Sequence, residues 1–397
     1  MDALTPREVT RYYRWLLDRD PEPEVLRHYE ASGLRRLQLV QMIVASDEFA
    51  QRLQRLGAPS PEAAAVPPPP SVHDAALWQR YVPFLNVDSP VPFREVAFQT
   101  YHVPTAAGSL TIKSMLSSVE LALLYALAKD HWSGEGEIVD LGCLYGLTTR
   151  CFAEGLMANS RVPDTLKVRR IYAYDLFLAE NYDWWSQQSP TVHAGSWFPE
   201  FLDVNRDQID AIVPCPGNLL NMNWGTKPVE ILMIDASKSW DLNAWIVGKF
   251  FPRLIPGKSV VIQQDQVHYI EYWIMITMEW FSDHFTYIDT IYGSSAYYLC
   301  TAPISEEQAC VELEALPFSE KERLLLGAIA RCRPSAQAAL QGAYAKLLLD
   351  HGLHARAREV LERMDVTCLS DDPVYDFSGI ARSDRDQLLA LLAQTTA

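Results

Sequence analysis

Along the middle of the chain, short apolar runs rich in Ile, Val and Leu alternate with segments of helical period, and several of the runs end in an acid or a glycine. The pattern predicts strands at residues 138–141, 170–175, 211–214, 229–235 and 259–265, the last entered by the turn I-P-G-K at 255–258. Two further runs, 285–292 and 295–302, flank Gly293-Ser294 and predict a hairpin. Strands alternating with helices imply an α/β fold on a parallel sheet, and the closing hairpin requires one antiparallel edge strand.

The flanks carry helical patterns. Residues 1–56 predict a helical unit: Thr5-Pro6 followed by Glu8 is a start signal, Tyr12, Leu16 and Leu17 share a face, and Leu37, Val40, Ile43 and Phe49 share another. The strings Y-R-W-L-L-D-R-D-P (13–21) and S-D-E-F (46–49) resemble a short helical domain of unknown function found in bacterial surface and glycan-related proteins. Residues 57–72 include four consecutive prolines, which cannot join a helix or a sheet interior, so an extended linker is expected. The α/β domain is expected over 73–303, opening with a helical stretch, notably 112–129. Residues 304–397 predict helices again, and 339–364 resembles one tetratricopeptide-type hairpin. A single such unit cannot bury its own faces, which favours a plain helical extension.

Composition narrows the function classes. With 397 residues, 49% of them hydrophobic and 21% charged, the chain can build a sizeable core. A formal charge of −16 argues against a nucleic-acid backbone as partner. No apolar run reaches the length of a membrane span, the first residues are too polar for a signal peptide, and the seven cysteines show no C-x-x-C pair. A cytoplasmic protein is expected, free of a disulfide framework.

Chemistry concentrates at the strand ends. In E-I-V-D-L-G-C-L-Y-G (137–146), followed by Leu147, Thr148 and Thr149, an apolar run ends at Asp140 and passes through Gly142 and Gly146 into a helical segment. Such a turn lets backbone approach a nucleotide-like ligand closely. Together with I-D-A-S-K (234–238), L-I-P-G (254–257) and Q-Q-D (263–265), it resembles the class I S-adenosylmethionine-dependent methyltransferases over residues 110–303, and within that class the macrocin and sugar O-methyltransferases, while Y-D-L-F (174–177) and I-Q-Q-D (262–265) resemble uncharacterised bacterial proteins more closely. The resemblance implies a seven-stranded Rossmann-like sheet of order 3-2-1-4-5-7-6 with S-adenosylmethionine as cofactor. It also implies cofactor contacts from Asp140, Gly142, Tyr145, Gly146 and Asp235, with Asp140 beside the ammonium group. Asp175 is implied for the ribose hydroxyls, and Asn218, where the family usually shows Asp, for the adenine amine. Helix capping or turn chemistry is the plainer role for Asp140 and Asp175.

Asp235 and Asp265 end neighbouring strands, about 4.8 Å apart in such a sheet, so their charges repel unless a cation or a proton intervenes. A divalent ion, Mg²⁺ by preference, held by Asp235, Asp265 and an amide of Gln266 or Gln264, is one solution, and a metal-free site is the other. Lys238 reads either as a general base with a lowered pKa or as a local ion pair with Asp235 or Asp241. His268 competes as the base, with a structural role as the bland reading, and His193 is a weaker candidate. Tyr182, Trp184, Trp185, Trp197, Phe198, Tyr269, Tyr272 and Trp273 could line an acceptor mouth or simply pack, with a lid expected over 181–201. The expected activity is methyl transfer to a hydroxyl of a sugar, glycan or glycosylated metabolite. The alternative is a non-catalytic scaffold of the same fold, with partners or a second copy bound through the flanking helices. A hydroxylase is disfavoured, since no two-His, one-carboxylate iron set is legible.

Overall fold

The computed structural model of the protein describes residues 94–97, 100–105, 108–178, 196–291, 293–367 and 376–395, together with scattered positions between 9 and 51. Those early positions include helix α1 (Pro23–Ser32). Leu17 and Ile43 are buried, and Arg19 of the first N-terminal motif donates to Glu48 of the second at 2.9 Å, so the two strings do meet. Tyr12, Leu16, Leu37, Val40, Phe49 and the linker 57–72 lie outside the described residues.

The first departure from expectation is a small antiparallel sheet, β1 (Arg94–Ala97), β2 (Thr100–Thr105) and β3 (Gly108–Lys113), ordered β1-β2-β3. Ile112, expected in a helix, belongs to β3 and pairs with Tyr101. The helix instead begins at α2 (Ser118–Ala126) and runs on into a π turn at Leu127–His131. A capping box fixes that start: Ser117 accepts from the Glu120 backbone, and the Glu120 carboxylate accepts from the Ser117 backbone at 2.7 Å.

The large sheet holds β4 (Glu137–Leu141), β5 (Ile171–Asp175), β6 (Ile212–Pro216), β7 (Val229–Ile234), β8 (Val260–Gln263), β9 (Phe285–Thr290) and β10 (Ala296–Cys300). Its spatial order is β6-β5-β4-β7-β8-β10-β9. Counted from the first strand to enter this sheet, that is 3-2-1-4-5-7-6, because the three strands of the small sheet come earlier in the chain. β4, β5, β6, β7 and β8 are parallel, while β10 runs antiparallel to both β8 and β9. The fourth and fifth expected strands end sooner than their apolar runs suggest. Asp235, Gln264 and Asp265 therefore stand just beyond the ladder, free to turn into the edge.

Both faces of the sheet are covered, as parallel strands require. Ile138, Ile231 and Met233 face a core shared with α3 (Leu147–Ala158). Val139, Leu141 and Leu232 face the other core, against Val247 and Phe250 of α5 (Trp240–Phe250). α4 (Phe198–Val204) and α6 (Trp273–Trp280) complete the α/β layer. Beyond it come α7 (Phe318–Arg331), α8 (Pro334–Asp350), α9 (His354–Arg363) and α10 (Ser378–Thr395). α8 and α9 form a hairpin turned at Gly352, with φ +72°, and α10 packs along α8. Leu325, Leu340, Leu348 and Leu388 join the same core as Ile138, so these helices extend the apolar interior of the sheet domain. No helix of the described residues is long and apolar enough to cross a membrane.

Candidate active site

Backbone hydrogen bonds carry the strand register past the last ladder residues and set the acids side by side. Asp235 N–H donates to Leu141 O at 2.8 Å, Gln264 N–H to Ile234 O at 2.9 Å, and Gly142 N–H to Tyr174 O at 2.8 Å. The carboxyl ends of β5, β4, β7 and β8 thereby form one continuous edge. Along it, charge interactions link Asp175 to Asp140, Asp140 to Asp235, Asp235 to Asp265, and Asp265 to Glu120.

The turn between β4 and α3 is shaped by left-handed residues: Gly142 at φ +88°, Leu144 at +48° and Gly146 at +88°. A Cβ on Gly142 would stand 2.5 Å from the Asp235 carbonyl oxygen, and one on Gly146 2.3 Å from Asn205 Nδ2. Close packing against β7 and α4 thus demands both glycines, whatever ligand the turn meets. Asp140 is fully buried; its Oδ2 accepts from Thr148 Oγ1 at 2.8 Å and Thr149 Oγ1 at 2.6 Å, while its Oδ1 has no hydrogen-bond partner. Burial raises its pKa to about 6, against the pull of the two hydroxyls. Asp175 ties the turn down: Oδ2 accepts from Leu144 N–H and Oδ1 from Phe177 N–H, each at 2.8 Å. Burial raises it to about 6 as well. Asn218 uses its Oδ1 to cap the Leu220 amide at 3.0 Å. Asp175 therefore does the turn-forming work that was its plainer alternative, and Asn218, expected at the adenine amine, caps a turn of its own. Tyr145 is buried with its ring edge-on to Trp197, the centroids 6.2 Å apart.

Lys238 occupies the place between the two central acids. Its Nζ donates to Asp235 Oδ1 at 2.8 Å and closely to Asp265 Oδ2. Burial disfavours the ammonium, but the charges of Asp235 and Asp265 and the hydrogen bonds they accept raise its pKa overall. A lowered pKa at Lys238 is therefore not what this geometry gives; the side chain is held as a cation. Asp235 moves up through burial and the charge of Asp265, with Lys238 opposing. Asp265 itself sits at φ +63°, a left-handed conformation that costs a non-glycine residue about 1 kcal/mol or more.

The expected third metal ligand is engaged elsewhere. Gln266 is buried, accepts from Tyr298 Oη at 2.6 Å and turns its amide toward Cys332 Sγ at 4.0 Å. Gln264 bonds to Ser294 and Ser295. Among the described residues no group of three His, Cys, Asp or Glu side chains could hold a metal ion. Two carboxylates already clamped on an ammonium, with the neighbouring amides turned away, do not fit a hard divalent cation.

His268 is the better-placed base. Its Nδ1 meets Glu271 Oε2 at 2.6 Å, so in the neutral ring Nε2 carries the lone pair. Burial would lower its pKa, yet Glu271, Asp265 and Asp384 together raise it. Of the candidate mouth aromatics, Trp197, Phe198, Tyr272 and Trp273 are buried packing; Trp273 Nε1 donates to Ser237 O at 2.8 Å. Tyr182, Trp184, Trp185, His193 and residues 181–195 of the expected lid lie outside the described residues.

Sequence reasoning missed Glu120, Glu271 and Asp384. Glu120 is almost wholly buried and also accepts from Ser295 Oγ at 2.7 Å, beneath Gly293, where a Cβ would collide with the carboxylate. The S-x-x-E pattern at 117–120 was a legible signal of a helix start, though not of its burial beside the acids. No protein-family model matches this sequence, and no match is found among curated proteins.

Proposed function

We propose that the chain transfers a methyl group from S-adenosylmethionine to a hydroxyl oxygen of a sugar, glycan or glycosylated metabolite, with His268 accepting the proton. The observation that carries this reading is the row of carboxylates along the sheet edge, in which backbone amides hold Asp175, Lys238 holds Asp235 and Asp265, and Asp140 Oδ1 is left without a partner for a positively charged group. S-adenosylmethionine bears a sulfonium and an ammonium, and when bound it supplies a methyl on a sulfur that leaves as a neutral thioether. The unpartnered Oδ1 of Asp140 is a ready acceptor for an ammonium. The strand order 3-2-1-4-5-7-6 is the one expected from the methyltransferase resemblance. The choice of acceptor rests on that resemblance alone.

The protein's own share is positioning and proton removal. Positioning can account for roughly 7–11 kcal/mol of such a barrier, and general base catalysis for about 10²–10⁴ in rate. Glu271 fixes the imidazole so that Nε2 takes the proton, while the Lys238 clamp keeps Asp235 and Asp265 from driving each other apart. Calorimetric titration with S-adenosylmethionine tests the first step. If it binds, His268→Ala should remove turnover and leave binding in place.

A second reading is favoured by one observation. Both oxygens of Asp175 and the Asn218 oxygen already hold the chain's own amides, as in a fold kept for its shape. A scaffold of that kind gives no heat with S-adenosylmethionine, and the same titration separates the two.

A further inference from the structure

α10 carries a buried stripe formed by Ala381, Asp384, Leu388 and Leu392. An acid in such a stripe is out of place on packing grounds, since an apolar residue would fill the same space without a charge to desolvate. Asp384 is only 3% exposed, and its Oδ2 is buried with no hydrogen-bond partner.

Its surroundings show what it faces. Gly342 keeps α8 thin at this point: a Cβ there would stand 3.3 Å from the Cβ atoms of both Asp384 and Tyr269. One turn along α10 from Asp384, Gln387 Oε1 accepts from Tyr269 Oη at 3.1 Å. Tyr269 also offers its backbone amide to Asp384 and holds its ring 5.2 Å from that of His268. The charges that act on His268 come from Glu271 and Asp265 on its own loop and from Asp384 on α10.

We propose that Asp384 is a positioning residue for His268, so that the C-terminal helices complete the candidate active site. Glu271 holds Nδ1 and fixes the tautomer; Asp384 supplies a second negative charge, from a different element, that favours the imidazolium formed when Nε2 takes a proton. The same charge interaction is felt at Asp384, where burial raises the acid, His268 opposes it, and the balance stands at about 7. The catalytic meaning rests on the methyl-transfer reading, whereas the coupling of the two side chains does not.

The test is the titration of His268 in the full chain, followed by NMR with labelled histidine and assigned by His268→Gln. Asp384→Asn should lower the His268 pKa by about half a unit or more. Gln387→Ala removes the Tyr269 tether and keeps the charge, so it should leave that titration nearly in place. Where turnover is measurable, Asp384→Asn should also move the acid limb of kcat to lower pH with little change in the acceptor KM. An unmoved His268 in Asp384→Asn, or an equal shift in Gln387→Ala, overturns the proposal. Should Asp384→Asn fail to fold, the wild-type Asp384 carboxyl carbon must show an inflection at the His268 pKa, and its absence is the overturning result. If the titration moves as expected but S-adenosylmethionine does not bind, the coupling stands and the methyl-transfer reading falls.

Discussion

Replacing Glu120 with glutamine should change how stability depends on pH, by an amount the structure supplies. The carboxylate is 1% exposed, accepts from Ser117 N–H, Ser117 Oγ and Ser295 Oγ, and lies near Asp265. Burial dominates those hydrogen bonds and raises the pKa from 4.5 to about 7. Between these two values the folded state holds a proton that the unfolded chain has released. The stabilisation is complete below pH 4.5 and is lost as pH rises toward 7. From pH 5.5 to 8, about 1.5 pH units of that window are crossed, or roughly 2 kcal/mol at 1.36 kcal/mol per unit. Glutamine keeps an oxygen for the Ser117 amide and can donate to Ser295, so the helix start survives and the titration disappears. Equilibrium urea denaturation of both proteins at pH 5.5 and 8 should show the variant gaining roughly 2 kcal/mol relative to wild type across that interval. A difference that stays constant between the two pH values would refute an ionised, desolvated Glu120.

Other substitutions probe the turn, the clamp and an ion pair between the start of α8 and β9. Gly142→Ala places a Cβ 2.5 Å from the Asp235 carbonyl oxygen at φ +88°, and should cost about 2–4 kcal/mol in urea denaturation. Lys238→Met leaves Asp235 facing Asp265 without a cation; because Lys238 is half exposed, the loss should be about 1 kcal/mol at pH 8 and smaller at pH 5.5, where a proton can take its place. Arg333→Met strips Asp289 of a two-pronged partner at the start of α8, with Nε to Oδ1 at 2.8 Å, and should cost about 2 kcal/mol and speed hydrogen exchange in β9.

Much of the sheet was legible because a strand buried on both faces must be apolar, and the acid or glycine that follows marks where it leaves the core. Asp140, Asp175 and Asp235 could be placed at strand ends for that reason. The small sheet at 94–113 was not: its strands are short and carry Pro104 and exposed polar positions, so the apolar face of the next helix dominated the pattern. The acid pair at Asp235 and Asp265 was legible as a juxtaposition, but its neutralisation by Lys238 depends on a turn that brings residue 238 back over the edge. Gln266 shows the same limit, since a one-residue change of direction after Asp265 sends its amide toward Tyr298. Asp384 is separated from His268 by more than a hundred residues, and only the packing of α10 on α8 brings the two together.

Calorimetric titration with S-adenosylmethionine at pH 6.5, repeated in buffers of different ionisation enthalpy, bears most directly on the carboxylate edge as a cation-binding site. Asp140 and Asp175 have pKa values near 6 in the free protein, and a bound cation lowers them. Binding should therefore release protons, and affinity should weaken as pH falls below 6. No binding at high micromolar cofactor, or binding that takes up protons, would contradict it.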